Sequence, residues 1–173
     1  MYLPGDDSYL LQEALIDFLE FKSRDIKILD LGTGSGIQAL ACKEQGFKNI
    51  LAADIDNEAV KETRKLGIKA VHSDLFSKIK AKFDLIIFNP PYLPEDKFDS
   101  GIDTTAGKKG YELIIKFLKQ AKSHLNKEGK ILLLISSFSN PRIIKKQARK
   151  FFQIKKISEK RIFFEVLEVW ILY

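Results

Sequence analysis

Short aliphatic runs alternate along this chain with amphipathic stretches of helical period. Leu10, Leu11, Ala14, Leu15, Phe18 and Leu19 recur at helical spacing, which predicts a helix over Tyr9–Phe21 with Asp7 or Ser8 as its cap. Lys27–Leu31 predicts a short strand running into Gly32, and Ser35–Gln45 a helix closed by Gly46. A strand over Asn49–Asp54, a helix over Asn57–Leu66 and a strand over Ile68–His72 follow in the same rhythm. Phe83–Phe88 is apolar almost throughout, as a central strand covered on both faces requires. After the aperiodic stretch from Asn89 to about Gly110, Leu113–Leu125 predicts a helix, with Gly129 marking its end. Lys130–Ser136 predicts a buried strand and Pro141–Phe151 a helix. Two final β-rich runs, Gln153–Ile157 and Phe163–Leu172, are expected to join through a charged turn at Glu159-Lys160-Arg161.

That order predicts an α/β fold, Rossmann-like, with a mostly parallel sheet, helices on both faces and a C-terminal antiparallel hairpin. Its 173 residues suit a single domain spanning 1–173, and 45% hydrophobic with 30% charged residues is ordinary for a packed globule. The lone Cys42 excludes an internal disulfide and a Cys-based zinc site, and no metal site is expected. No apolar run approaches a membrane span and the N-terminal stretch is acidic, so a cytoplasmic location without membrane contact is expected. A formal charge of +6 tolerates an acidic partner, but the densest cationic run, from Lys145 to Lys150, has helical spacing and reads as a solvated face.

The chemistry concentrates in two places. Asp30-Leu31-Gly32-Thr33-Gly34-Ser35-Gly36 lies between a strand and a helix, where glycines permit a tight turn and close approach of a ligand. Asp54 ends the next strand, placed to accept from ribose hydroxyls. The phosphate loop G-x-x-x-x-G-K-[ST] is absent, and the dinucleotide fingerprint fails because its third glycine comes one residue early. Asp30 suits a ligand with a cation, and S-adenosyl-L-methionine carries an ammonium and a ribose but no phosphate. Asp74, after the third strand, could accept from an adenine amino group with Leu75 packed on the ring.

The second place is Asn89-Pro90-Pro91-Tyr92, directly after the apolar strand. The Asn89 amide oxygen and the Pro90 carbonyl can each accept one hydrogen of a planar –NH2 group, and Tyr92 offers a flat face for stacking. This set would aim an sp² nitrogen at an activated methyl. A glutamine amide and the amino groups of adenine, cytosine and guanine all satisfy it. A non-catalytic, cofactor-binding scaffold is the third class. The stretch 93–109 reads as a flap over the substrate. His72 and His124 read as structural, as does Cys42.

Taken together, these motifs resemble class I S-adenosylmethionine-dependent methyltransferases with the Asn-Pro-Pro-Tyr motif. The likeness is greatest to the single-domain HemK-type enzymes that methylate the glutamine of the Gly-Gly-Gln motif in class-1 peptide-chain release factors. It begins at Tyr2-Leu3-Pro4-Gly5-Asp6-Asp7-Ser8-Tyr9-Leu10-Leu11 and runs through nearly the whole chain. The resemblance implies that Ser8, Asp30, Gly32, Gly34, Asp54, Asp74, Leu75 and Asn89 line the cofactor. It also implies that Asn89, Pro90, Pro91 and Tyr92 hold the substrate, with Asn89, Pro90 and Tyr92 catalytic. Bacterial relatives carry a helical N-terminal domain for gripping the release factor, whereas here only the helix from about Tyr9 precedes the motifs, as in the archaeal and eukaryotic branch. For that branch the resemblance implies a small zinc-binding activator protein, docked on the sheet edge at Ile68–Val71. The surface needed to grip and flip a nucleic-acid base is not evident, so a base is the less favoured substrate.

Overall fold

A computed structural model describes residues 3–92 and 110–173. The expected flap at 93–109 and the motif residue Tyr2 lie outside these described residues. In chain order the elements are α1 (Asp6–Leu19), β1 (Ile28–Leu31), α2 (Ile37–Glu44), β2 (Ile50–Asp54), α3 (Asn57–Lys65), β3 (Lys69–His72) and β4 (Phe83–Phe88). They are followed by α4 (Glu112–Ala121), β5 (Leu125–Ser136), α5 (Pro141–Ala148), β6 (Ile154–Ile162) and β7 (Glu165–Leu172).

Seven strands form one sheet in the order β3-β2-β1-β4-β5-β7-β6. The first five are parallel, while β7 runs antiparallel to both β5 and β6. The connections leave β1 toward β2 on one side, and the chain then resumes on the other side at β4. A crevice is therefore expected above the C-terminal ends of β1 and β4, where open α/β sheets take ligands.

Period-2 alternation divides the strands between two cores. Leu29, Leu31, Ile86, Phe88, Ile131, Leu133 and Trp170 face one layer with Ile114 and Phe117 of α4 and Ile144 of α5. Ile28, Leu85, Ile87, Leu132, Leu134 and Val169 face the other with Leu11 and Leu15 of α1 and Cys42 of α2. Burial on both faces matches the nearly continuous apolar run of β4, broken only by Asp84 near its start.

Four expectations need correction. Helix α1 begins at Asp6, ahead of the expected Tyr9, and Gly5 occupies its N-cap position without a side-chain cap. Asp7 and Ser8 are buried inside the first turn, where tertiary bonds replace capping. The helix expected to reach Leu125 ends at Ala121, a single 3₁₀ turn covers Lys122–His124, and β5 already starts at Leu125. Gly129 therefore lies within a strand. Phe83 pairs with Leu125 but Leu85 with Lys130, so β5 bulges between them. A Cβ on Gly129 would come within 2.8 Å of the Phe83 carbonyl oxygen, so close backbone approach explains this glycine. Helix α5 ends at Ala148 rather than Phe151, and the Lys145–Lys150 run is mostly exposed, as expected. Finally, Glu159-Lys160-Arg161 is strand, not turn. The hairpin reverses at Phe163-Phe164, between the last paired residues Ile162 and Glu165. Charged residues on a solvated edge strand mimic turn composition.

Candidate active site

Three glycines shape the turn after β1, all with left-handed backbone: Gly32 (φ 65°), Gly34 (φ 52°) and Gly36 (φ 80°). At Gly32 the space is also restricted, since a Cβ would lie 3.3 Å from the Phe88 ring. At Gly36 it would lie 2.9 Å from Leu66 Cδ1 and 3.1 Å from Thr63 Oγ1, which presses the start of α2 against α3.

Two carboxylates hold this turn. Asp30 is 1% exposed, and its Oδ2 accepts from Thr33 Oγ1 (2.6 Å) and the Ala39 backbone N–H (3.1 Å). Burial raises its pKa to about 7, against the opposing pull of those hydrogen bonds. Folded Asp30 therefore keeps its proton between about pH 4 and 7, where the unfolded chain has lost it. The native state binds more protons in that window, so stability falls as pH rises through it, by ~1.4 kcal/mol per unit at most. Asp30→Asn, which cannot ionise, is expected to flatten that slope in urea titrations of the cofactor-free protein. An unchanged slope would place the proton elsewhere.

Asp54, at the end of β2, accepts from the Gly34 N–H through Oδ2 (2.8 Å) and from the Asp56 N–H through Oδ1 (2.9 Å). The next residue, Ile55, is 52% exposed, an apolar surface at the rim that sequence reasoning missed; an aliphatic residue following a strand-end acid was the available signal.

Asp74 follows β3 and pairs with Lys116 of α4 at 2.9 Å, both side chains about half exposed. Leu75 has positive φ (46°) but is 7% exposed and packs in the main core beside Phe76. Its side chain is thus mostly committed to the interior, and Ile55 is the more open apolar group.

At the end of β4, Asn89 Nδ2 donates to Asp7 Oδ2 across 82 positions of sequence (2.9 Å). Only the NH2 end of an amide can face a carboxylate in this way, which fixes the orientation of Asn89. Asn89 Oδ1 is consequently buried with no hydrogen-bond partner among the described residues. Ser8 stands beside the pair, its N–H and hydroxyl both directed at Asp7 Oδ1 (2.7 and 3.3 Å) and its Oγ 3.5 Å from Asn89 Nδ2. Gln38 of α2 donates to the Ser8 carbonyl (2.8 Å), which ties α1 to the glycine-turn helix. Asp7 was expected only as a cap. Its real role depends on a contact that no local pattern encodes. Pro90 is buried, and half-buried Tyr92 packs against the α1 side of the core.

The residues read as structural behave so. His72 Nε2 bonds the Ile55 carbonyl, His124 stacks on Phe76 at 4.2 Å, and Cys42 is buried with its thiol pKa pushed up by desolvation. Among the described residues no cluster of His, Cys, Asp and Glu could hold a metal, and no helix is long and apolar enough to cross a membrane.

Comparison with known proteins fits this arrangement. The model of the methyltransferase small domain matches residues 12–168. The chain belongs to that family. A relative from Methanocaldococcus jannaschii, which carries the name protein N5-glutamine methyltransferase, is 35% identical over 98% of this chain and 89% of its own length. The release factor glutamine methyltransferase of Lactococcus lactis is 31% identical over 71% of this chain, but over only 53% of its own length. The ribosomal RNA small subunit methyltransferase C of Haemophilus influenzae is 36% identical over 73% of this chain, which spans 37% of it. Among solved structures, the E. cuniculi Mtq2-Trm112 complex, which methylates the translation termination factor eRF1, superposes with a TM-score of 0.79. The match has 24% identity and covers 99% of this chain and 96% of that one.

Proposed function

We propose that this methyltransferase takes S-adenosyl-L-methionine as donor and methylates the side-chain amide nitrogen of the glutamine in the Gly-Gly-Gln motif of a class-1 release factor. The observation that carries this reading is Asn89 Oδ1, just beyond β4, buried and without a partner among the described residues, its amide oriented by Asp7. A buried acceptor without a donor is costly unless a ligand supplies one, and a planar –NH2 group does. The M. jannaschii relative, alike over nearly its full length, supports a glutamine amide as that group.

The donor set fits the cofactor. Carboxylates line the glycine turn, which suits an ammonium and a ribose and disfavours a pyrophosphate. Asp30 and Gly32 face the amino-acid end, with Ser8 and Gly34 nearby. Asp54 takes the ribose hydroxyls, and Asp74, Leu75 and Ile55 border the adenine. S-adenosyl-L-methionine supplies an electrophilic sulfonium methyl. Asn89 Oδ1 and the Pro90 carbonyl hold the two amide hydrogens, so that the nitrogen lone pair points at that methyl. Pro91 fixes the backbone after Pro90, and Tyr92 stacks on the amide plane. The proton lost from nitrogen goes to water, so no side-chain base is required.

Asp54→Ala is expected to weaken cofactor binding ~10–100-fold by removing ribose acceptors and the brace on Gly34. Calorimetry measures this directly, and an unchanged affinity would move the ribose site elsewhere.

Among the described residues β3 lies at the edge of the sheet, paired with β2 alone. A small activator protein adding a strand along Ile68–Val71 would cover this edge, consistent with the two-protein assembly of the E. cuniculi relative. The decisive experiment follows labelled methyl groups from the cofactor to release factor, ribosomal RNA and DNA, with and without that activator. Label on the release-factor glutamine is the expected result. Label confined to nucleic acid, which the H. influenzae relative makes a concrete alternative, would overturn it.

A further inference from the structure

The β6–β7 hairpin ends in a pair of side chains that fold stability does not explain. Phe163 and Phe164 form its two-residue turn and are 94% and 95% exposed. Phe163 also has φ 47°, the left-handed region that two-residue hairpins ordinarily fill with glycine or asparagine. A large aromatic side chain here leaves its apolar surface in water and strains its own backbone, while packing into no core formed by the described residues.

The tip stands on the same side of the molecule as Asn89. Phe88 pairs with Leu133, and Ser136 pairs with Leu167. Three residues of β5 beyond Leu133, then three of β7 back from Leu167 to Phe164, carry the tip ~20 Å past Phe88 at ~3.3 Å per residue. Two strand spacings set it ~10 Å to the side of β4. The hairpin also reaches α1 close to the proposed site, where Lys160 of β6 pairs with Asp6 at 2.7 Å, next to the Asp7 that orients Asn89.

We propose that Phe163 and Phe164 are a docking point for the protein that carries the target amide, inserting into an apolar recess of its surface. This rests on the proposed reading of a protein acceptor. The charge pattern favours protein over nucleic acid. Cations Lys155, Lys156, Lys160 and Arg161 of the hairpin are interleaved with three glutamates, and Lys156 is neutralised by Glu159 and Glu168. A phosphodiester chain would require an unbroken basic track beside the aromatics.

The test is Phe163→Gly combined with Phe164→Ser, which relieves the strained φ and removes both rings. The variant is expected to keep its urea midpoint and cofactor affinity, and to raise KM for intact release factor ~10-fold or more. Phe164→Leu should restore most of that affinity, because an apolar anchor remains. If the double variant fails to fold, Phe164→Ser alone decides, since only Phe163 carries the unusual φ. An unchanged KM overturns the proposal. So does sedimentation showing that the wild-type chain self-associates through this tip and the variant does not. If wild-type enzyme labels only nucleic acid, the acceptor reading itself fails, which the same assay distinguishes from a loss confined to the variant.

Discussion

Asn89→Ala should lower turnover on the protein acceptor at least ~10²–10³-fold, the scale seen when one oriented hydrogen-bonding group is lost from a reacting centre. Alanine deletes the buried Oδ1 acceptor proposed to hold the substrate amide. It also deletes the Nδ2–H donated to Asp7, so Asp7 loses one of its partners at a cost of ~1–3 kcal/mol in stability. The two effects separate by measurement. Stability and cofactor affinity should fall modestly, while kcat and kcat/KM fall together, because the lost contact matters most when the nitrogen attacks. Near-normal kcat at saturating cofactor and acceptor would remove Asn89 from the chemistry. It would also leave its orphaned oxygen without an explanation.

Phe88→Ala is expected to give the largest loss of stability, ~3–5 kcal/mol, measured as a fall in urea midpoint at constant slope. Phe88 is 2% exposed, its ring lies 4.5 Å from that of Phe117, and Phe117 in turn stacks on Phe76 at 5.8 Å. Truncation opens a cavity in a row of rings that α4 helps to close. Against a typical total of ~5–15 kcal/mol the loss is severe. The same ring also forms the wall beneath Gly32. Cofactor affinity should therefore weaken alongside stability, even though Phe88 need not touch the ligand. A loss under ~1 kcal/mol, or an unaltered affinity, would mean that the glycine turn is held independently of the core beneath it. The contrast with Phe163 and Phe164 is direct: in one case an aromatic ring supports the fold, in the other it is left in water.

Much of this was legible in the residues themselves. The nearly continuous apolar run Phe83–Phe88 is short enough to favour a covered strand, and Gly32, Gly34 and Gly36 between a strand and a helix favour a tight turn, so the doubly covered sheet and the crevice expected at its switch point followed. Asp54 was readable because the strand delivers it to the turn it braces. Local composition misled where tertiary contacts outweigh it. Gly129 signals a helix end by type but serves a close approach to Phe83, and Glu159-Lys160-Arg161 resembles a turn yet lies in a solvated edge strand.

By itself, then, the order of residues determined the layers, the parallel core of the sheet and the strand ends at which the proposed site lies, because periodicity and glycine placement act over a few neighbours. Tertiary structure alone decided that Asp7 orients Asn89, that Ile55 rather than Leu75 stays open at the rim, and that the hairpin turns on two bare phenylalanines. Those outcomes depend on which distant surfaces meet and which remain in water. Both are properties of the packed chain as a whole and leave no periodic trace along it.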